Sequence, residues 1–238
     1  MILITTKRGK TGKPDISYSG SVAFQYIKDA PDFLNARDFM IEQNKVFDEL
    51  GRGDEKKYTD GQIANFVGDG TDWMDEVTRV GVVNEHNLSV SAGTDATKYL
   101  FSLSYYDHQG IAKNNSMNRI TGRLNVDFQA TDKLKFGANI MFTNLNQDVY
   151  SEGTGYTAPF YSSVSKLTPS DPVYNEDGSY NQDLISLSRR NPVLAQEYNY
   201  QREYVTRMFN TINAEYEFIK DLKLKSILSY DYNISKGK

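Results

Sequence analysis

The sequence contains no cysteine, which excludes disulfide scaffolds, thiolate zinc sites and cysteine nucleophiles together. Histidine is almost as scarce. His86 and His108 are the only two in 238 residues, too few for a histidine-built metal cage and a poor basis for a serine-type triad. No uninterrupted apolar stretch reaches the roughly 18 residues that a membrane-spanning helix needs. The formal charge of −4, from 27 Lys+Arg against 31 Asp+Glu, leaves no basic footprint for nucleic acid. The opening MILITTKRGK lacks the charged start, long apolar centre and cleavage site of a signal peptide. Proline, at six residues, and tryptophan, at one, are rare as well.

Tyrosine and phenylalanine are abundant: 17 and 12 residues, within an aromatic share of 13%. Hydrophobic residues stand at only 39% and mean hydropathy at −0.59. A polar, tyrosine-rich, proline-poor chain fits a β-protein that is wet on both sides. It also fits transmembrane β-barrels, whose strands alternate outward apolar and inward polar residues and so average out hydrophilic. The length allows one large domain or two small ones.

Alternation with period two is the clearest pattern. In residues 118–131, Ile120, Leu124, Val126 and Phe128 share one face with Gly122. Thr121, Arg123, Asn125, Asp127 and Gln129 take the other, a separation that a strand gives and a helix scatters. Residues 133–146 place Leu134, Phe136, Ala138, Ile140 and Phe142 together, against Lys135, Gly137, Asn139 and Thr143, with Met141 as the exception. The polar turn 130–133 joins the two runs into a hairpin. Further hairpins are expected from 87–93 with 98–107 and from 204–218 with 222–232, preceded by a strand over 15–25. Gly20 and Gly122 suit strands that bend within a curved sheet.

Three connections are tight, whereas 26–83, 108–117 and 147–203 are long. Short connections at one end of a sheet and long ones at the other are the asymmetry of membrane barrels. The first insert is expected to hold a helix over 35–50, with Phe39, Met40, Val46, Phe47 and Leu50 near helical spacing and Asn35 as N-cap. Tyr99, Phe128, Phe136 and Phe218 lie near the tight turns, and Tyr105, Phe142, Tyr204, Tyr230 and Tyr232 toward the long loops. Two aromatic rows around an aliphatic band are what bilayer interfaces select, although cross-strand packing in any sheet also uses such residues.

Other motifs carry less. Asp69, Asp72, Asp75 and Glu76 lack the ligand order of a calcium loop and read as a solvated acidic loop. Asp171–Tyr180 contains an Asp-Gly that reads as a β-turn. Glu215 and Glu217 lie on one face of a strand, but nothing makes them a glycosidase pair. Gly51-Arg52-Gly53 is too isolated for a phosphate cradle. His86 and His108 read as strand-end polar residues. The loop aromatics Trp73, Tyr156, Phe160, Tyr161, Tyr174 and Tyr180 are candidates for stacking on sugar rings, for loop packing or for contact with a protein partner.

The segment ILITTKRGKTGKPDISYSGSVAFQ (2–25) resembles the plug-to-barrel junction of SusC/RagA-type TonB-linked outer-membrane transporters. The acidic-tryptophan segment TDWMDEV (71–77) and the hairpins of 86–144 are similar to the same family in order and spacing. The resemblance covers essentially the whole chain but only part of a family member. It implies an all-β fold: about seven antiparallel, up-and-down strands of a 22-stranded transmembrane barrel, with long extracellular loops, one holding a short helix. Residues 1–12 would be the last plug strand and junction, and 13–238 the first part of the barrel. At about 34 residues per strand a closed barrel needs roughly 750 residues, so the chain is expected to be a fragment without a signal peptide, a TonB-contacting segment or most of the plug.

In such a barrel Ile120, Leu124, Val126, Phe128, Leu134, Phe136, Ile140 and Phe142 would face lipid, and Arg123, Asn125, Asp127, Lys135 and Asn139 the lumen. The resemblance further implies import of a nutrient, a glycan oligomer or a peptide, across the outer membrane of a Gram-negative, Bacteroidetes-like cell. Its partners would be outer-membrane lipid, a SusD-like lipoprotein and, through the plug, the TonB complex. No cofactor, metal, nucleic acid or catalytic residue is expected. Two alternatives stay open from the residues alone: a soluble extracellular β-sandwich that binds carbohydrate, and a truncated gene product with no function of its own.

Overall fold

The computed structural model describes residues 8–28, 30–150, 166–185, 191–198 and 200–237. Seven strands run in the order β1 (Gly12–Gln25), β2 (Gly81–Gly93), β3 (Thr97–Gln109), β4 (Ser116–Thr131), β5 (Leu134–Tyr150), β6 (Tyr200–Ile219) and β7 (Leu222–Gly237). All pair antiparallel with their chain neighbours in one sheet of order β1 to β7. This is an up-and-down wall, open at β1 and β7. The described strands form no second sheet, so the two-sheet sandwich is not what this sequence folds into.

Residues that alternate in sequence now alternate across the sheet, and the expected hairpins are present. Their strands are longer than the hydrophobic runs that revealed them. β2 starts at Gly81, not Asn87, and β6 reaches back to Tyr200, because ladder hydrogen bonds continue through polar Asn84, Glu85 and Glu203. The connection between β3 and β4 shortens for the same reason to residues 110–115. The tight turns are built from local chemistry. Thr94 Oγ1 accepts from Thr97 N at 3.1 Å, Thr131 Oγ1 accepts from Leu134 N at 3.1 Å, and Asp221 takes φ 70°, the left-handed conformation that aspartate tolerates best after asparagine and glycine.

At the other end the long connections hold, among the described residues, four helices: α1 (Ala36–Glu49), α2 (Asp60–Asn65), α3 (Trp73–Val77) and α4 (Pro192–Tyr198), with a 3₁₀ turn at Gly53–Glu55. The expected helix α1 is there with Asn35 as its cap, whose side chain accepts from Asp38 N at 2.9 Å. The others begin at signals in the sequence. Thr59 and Gln62 make a reciprocal capping box for α2, and the Asp72 carboxylate accepts from Met74 N and Asp75 N to start α3.

These connections pack into a cap with two small cores. Ala36, Met40 and Tyr58 form one; Trp73, Val173 and Leu184 form the other. Amide side chains stitch the three connections together. Gln196 donates to Val77 O at 3.0 Å and Asn114 to Gln196 O at 3.1 Å, while within the third connection Asn191 donates to Val173 O at 2.7 Å and Asn181 O at 3.1 Å. Arg79 Nε reaches Gly110 O at 3.0 Å. The Trp73 indole donates to Thr168 O at 2.8 Å.

Candidate functional site

The wall has two chemically opposite faces. On the apolar face the register aligns Ile16, Val90, Phe101, Leu124, Ile140, Asn210 and Tyr230 in one row across all seven strands. Leu124 lies opposite Ile140, Val126 opposite Ala138, and Phe128 opposite Phe136. Ile120, Leu134 and Phe142 share this face, so the eight residues expected there stand together. So do the aromatics expected near each end. The band closes toward the cap at a row of Asn84, Asp107, Asn118 and Asn146.

The band is oblique to the strands. Its turn-end margin is Ile16 on β1 but Leu224 on β7, six residues below Tyr230, which shares Ile16's row. Six residues rise about 20 Å and six inter-strand steps span about 29 Å, an inclination of about 35°. Strands of membrane barrels tilt by roughly 35–45°.

The opposite face is polar. Arg123, Asn125, Asp127, Lys135 and Asn139 all lie on it, side by side on β4 and β5, with Asn125 directly opposite Asn139. Around them are hydroxyl pairs such as Ser17 with Ser89 at 2.7 Å and ion pairs such as Arg207 with Asp231 at 2.6 Å. Glu215 and Glu217 share Lys223 at 3.5 Å each, which settles them as wall charges. The Arg119 guanidinium sits 5.2 Å from the Tyr106 ring centre. Met141 breaks the alternation here, opposite Arg123 and Phe209.

His86 departs from expectation. It stands six residues into β2 on the apolar face, stacked between Tyr18 and Tyr105 at 6.1 and 6.4 Å. The Tyr18 hydroxyl lies 2.7 Å from His86 Nδ1. A Cβ on Gly20 would come 2.7 Å from that hydroxyl, so this glycine leaves room for the pair. His108 does lie near a strand end, 2.9 Å from Gln25 Oε1.

One feature has no signal in the sequence. Before β1 the chain crosses the polar face at the turn end, over three strands. The Lys10 amide donates to Ser91 Oγ of β2 at 3.1 Å, Gly9 lies on the Tyr99 backbone of β3, and Arg8 pairs with Asp127 of β4.

The cap encloses a cleft of about 1180 Å³ whose lining includes Phe33, Leu34, Phe39, Phe47, Asp72 and Lys166. Of the loop aromatics, Trp73 is 4% exposed and is a core residue, which removes it as a stacking platform. Tyr174 and Tyr180 pack on each other at 5.1 Å and close the Asn175–Ser179 turn. There Ser179 holds the Asp177 carboxyl below the usual carboxylate range through side-chain and backbone hydrogen bonds. Tyr156, Phe160 and Tyr161 lie outside the described residues. Asp72 caps α3, Asp69 supplies a backbone carbonyl to Ala36 N at 2.8 Å, and no group of three metal-ligating side chains occurs among the described residues.

The single tilted sheet, its opposed faces and its loop asymmetry define a segment of transmembrane β-barrel wall. The chain is homologous to SusC/RagA-type TonB-dependent receptors along nearly its whole length. It is 30% identical over 236 residues to TonB-dependent receptor P3 of Formosa agariphila, an alignment that covers 97% of this chain and 22% of that protein. With TonB-dependent receptor SusC of Bacteroides thetaiotaomicron it shares 29% over 259 residues, 98% of this chain and 24% of SusC. The structure of the RagAB peptide importer in its "open-open" state superposes with TM-score 0.73 at 20% identity, over 98% of this chain and 29% of that one. The chain thus spans about a quarter of the length of these proteins. No family model matches it. The relatives are receptors, not enzymes.

Proposed function

We propose that this chain is the first part of the barrel wall of a TonB-dependent transporter in the outer membrane. Ile120, Leu124, Val126, Phe128, Leu134, Phe136, Ile140 and Phe142 face lipid. Arg123, Asn125, Asp127, Lys135 and Asn139 line the lumen, where they hydrogen-bond a hydrated solute or the plug that blocks the pore. Residues 1–12 end the plug and 13–238 belong to the barrel. The cap forms part of the extracellular mouth and offers a surface to a SusD-like lipoprotein, while TonB supplies energy by pulling on the plug. The cargo is a nutrient oligomer, glycan or peptide; RagAB, whose fold this chain shares, is a peptide importer.

The observation that carries this reading is the oblique apolar band. Leu228 is 71% exposed, Ile212 55% and Ile140 46%. Apolar surface on that scale is a liability in water and an asset in a bilayer. The polar face supports it too, because the segment that leads into β1 lies against it, as a junction with a lumenal plug requires. Solvent-sensitive fluorophores on Leu124 and Ile140, placed in an intact barrel containing this wall, should report hydrocarbon. The same labels on Arg123 and Asn139 should report water. Four labels in a dry protein interior would overturn the proposal.

A further inference from the structure

We infer that residues 8–12 are a latch, with Arg8 and Asp127 as its closure, that holds the segment preceding β1 against the polar face. This rests on the reading of that face as the lumen. The strap touches three successive strands within three residues: Lys10 N on Ser91 Oγ at 3.1 Å, Gly9 on Tyr99, and Arg8 on Asp127. Its path is fitted to the sheet. A Cβ on Gly9 would fall 2.5 Å from Tyr99 N and 2.6 Å from its carbonyl oxygen, so only glycine allows the backbone to lie this low.

Charge makes the closure specific. Among the described residues, the polar faces of β3, β4 and β5 carry Lys98, Arg119, Arg123 and Lys135, and a single acid, Asp127. Lys98 is its direct cross-strand neighbour. The strap is itself basic, with Arg8 and Lys10. On these three strands an arginine laid among cationic side chains is held where it meets Asp127. Removing that carboxylate does more than delete a hydrogen bond, because it leaves like charges facing each other across the seat. Arg8–Asp127 is thus the contact that must open before the preceding segment can leave the wall. A pull applied to that segment reaches it before any strand of the sheet.

Trypsin reads the latch directly, since Lys10 is a cleavage site within the strap. In detergent-solubilised chain, Asp127→Asn should speed cleavage after Lys10 by about tenfold or more, the scale of a lost charge-assisted hydrogen bond. Arg8→Gln, which alters no strand, should do the same. The exchange Arg8→Asp with Asp127→Arg should restore slow cleavage. High salt should slow cleavage in Asp127→Asn by screening the repulsion. Wild-type rates in Arg8→Gln, or an exchange variant as labile as Asp127→Asn, would overturn the latch. Protection in detergent reads the strap whatever covers the apolar face, and the fluorophore labels read lipid whether the strap is open or closed, so the two ideas fail separately.

Discussion

The wall and the cap are stabilised in different ways. The cap buries Ala36 and Val77 completely, and with them Asn191 at 0% and Gln196 at 2% exposure. Gln196 donates to the Val77 carbonyl of the first connection, and Asn191 to the Val173 and Asn181 carbonyls of its own, as buried polar groups must. It has the anatomy of a small water-soluble domain. The wall has no such core. Its strands are joined by ladder hydrogen bonds from β1 to β7, while many of its large apolar side chains stand 37–71% exposed. One region is held by what it buries, and the other needs a solvent that accepts its surface.

The sharpest way to break that contrast is to damage each region and ask whether the other notices. Trp73→Ala empties the centre of the second cap core and deletes the bond to Thr168 O. A loss of about 3–5 kcal/mol is expected. Hydrogen exchange should show it in residues 166–185 and α4, with β4 and β5 protected as before. If strand protection falls equally, the cap and wall are one cooperative unit.

The complementary lesion is a charge in the band. Leu124→Arg, near the middle of the β4 apolar run, should cost about 2–4 kcal/mol of folding stability in a bilayer. Thr143→Arg on the polar face should change stability by no more than about 0.5 kcal/mol. Equal costs would mean that lipid is not the solvent of one face.

The same division explains what the sequence could and could not disclose. The wall was legible because its two faces differ in polarity and a strand alternates between them. Leu124 next to Arg123 and Ile140 next to Asn139 announce the faces without any knowledge of neighbours. The strand ends were less legible, since Asn84 and Glu203 extend ladders without adding hydrophobicity. In the cap, α1 announced itself by periodicity and by Asn35. Helices α2 and α3 depend on single caps, Thr59 and Asp72, in runs too short for a period to show. The buried roles of Gln196 and Asn191 depend on partners 10 to 119 residues away, and amides carry no local mark of burial. The strap was hidden for the same reason: Arg8 and Asp127 are 119 residues apart.

Within the wall, Asn210 runs against the character of its face. Asn210 lies in the row of Ile140 and Tyr230, and its buried Oδ1 has no hydrogen-bond partner among the described residues. An unpaired amide oxygen against hydrocarbon costs about 1–3 kcal/mol. Asn210→Leu should therefore stabilise the wall in a bilayer, seen as a shift of its unfolding midpoint to higher denaturant. A loss of stability would place a polar partner over Asn210 and mark that spot as a protein contact.

The smallest expected effect belongs to the cap and tests whether its first core is dry. Burial pushes the Tyr58 hydroxyl above its ordinary value of 10.0, against the opposing hydrogen bonds of Ser170 and Thr168. A raised value in the folded state means that the neutral hydroxyl contributes stability below pH 10, and that this is lost as pH climbs through the folded value. Tyr180 is also pushed up, chiefly because its hydroxyl donates to the Glu197 carboxylate. The fluorescence of Trp73, the single tryptophan, should then report a cap that loosens above pH 10 while the wall keeps its β circular dichroism. Tyr58→Phe should lose about 1 kcal/mol at neutral pH, the share of its bond with Ser170, and show a shallower alkaline slope. An unchanged slope in Tyr58→Phe would assign the sensitivity to Tyr180 and its acid at the surface, and would mean that water reaches the first core.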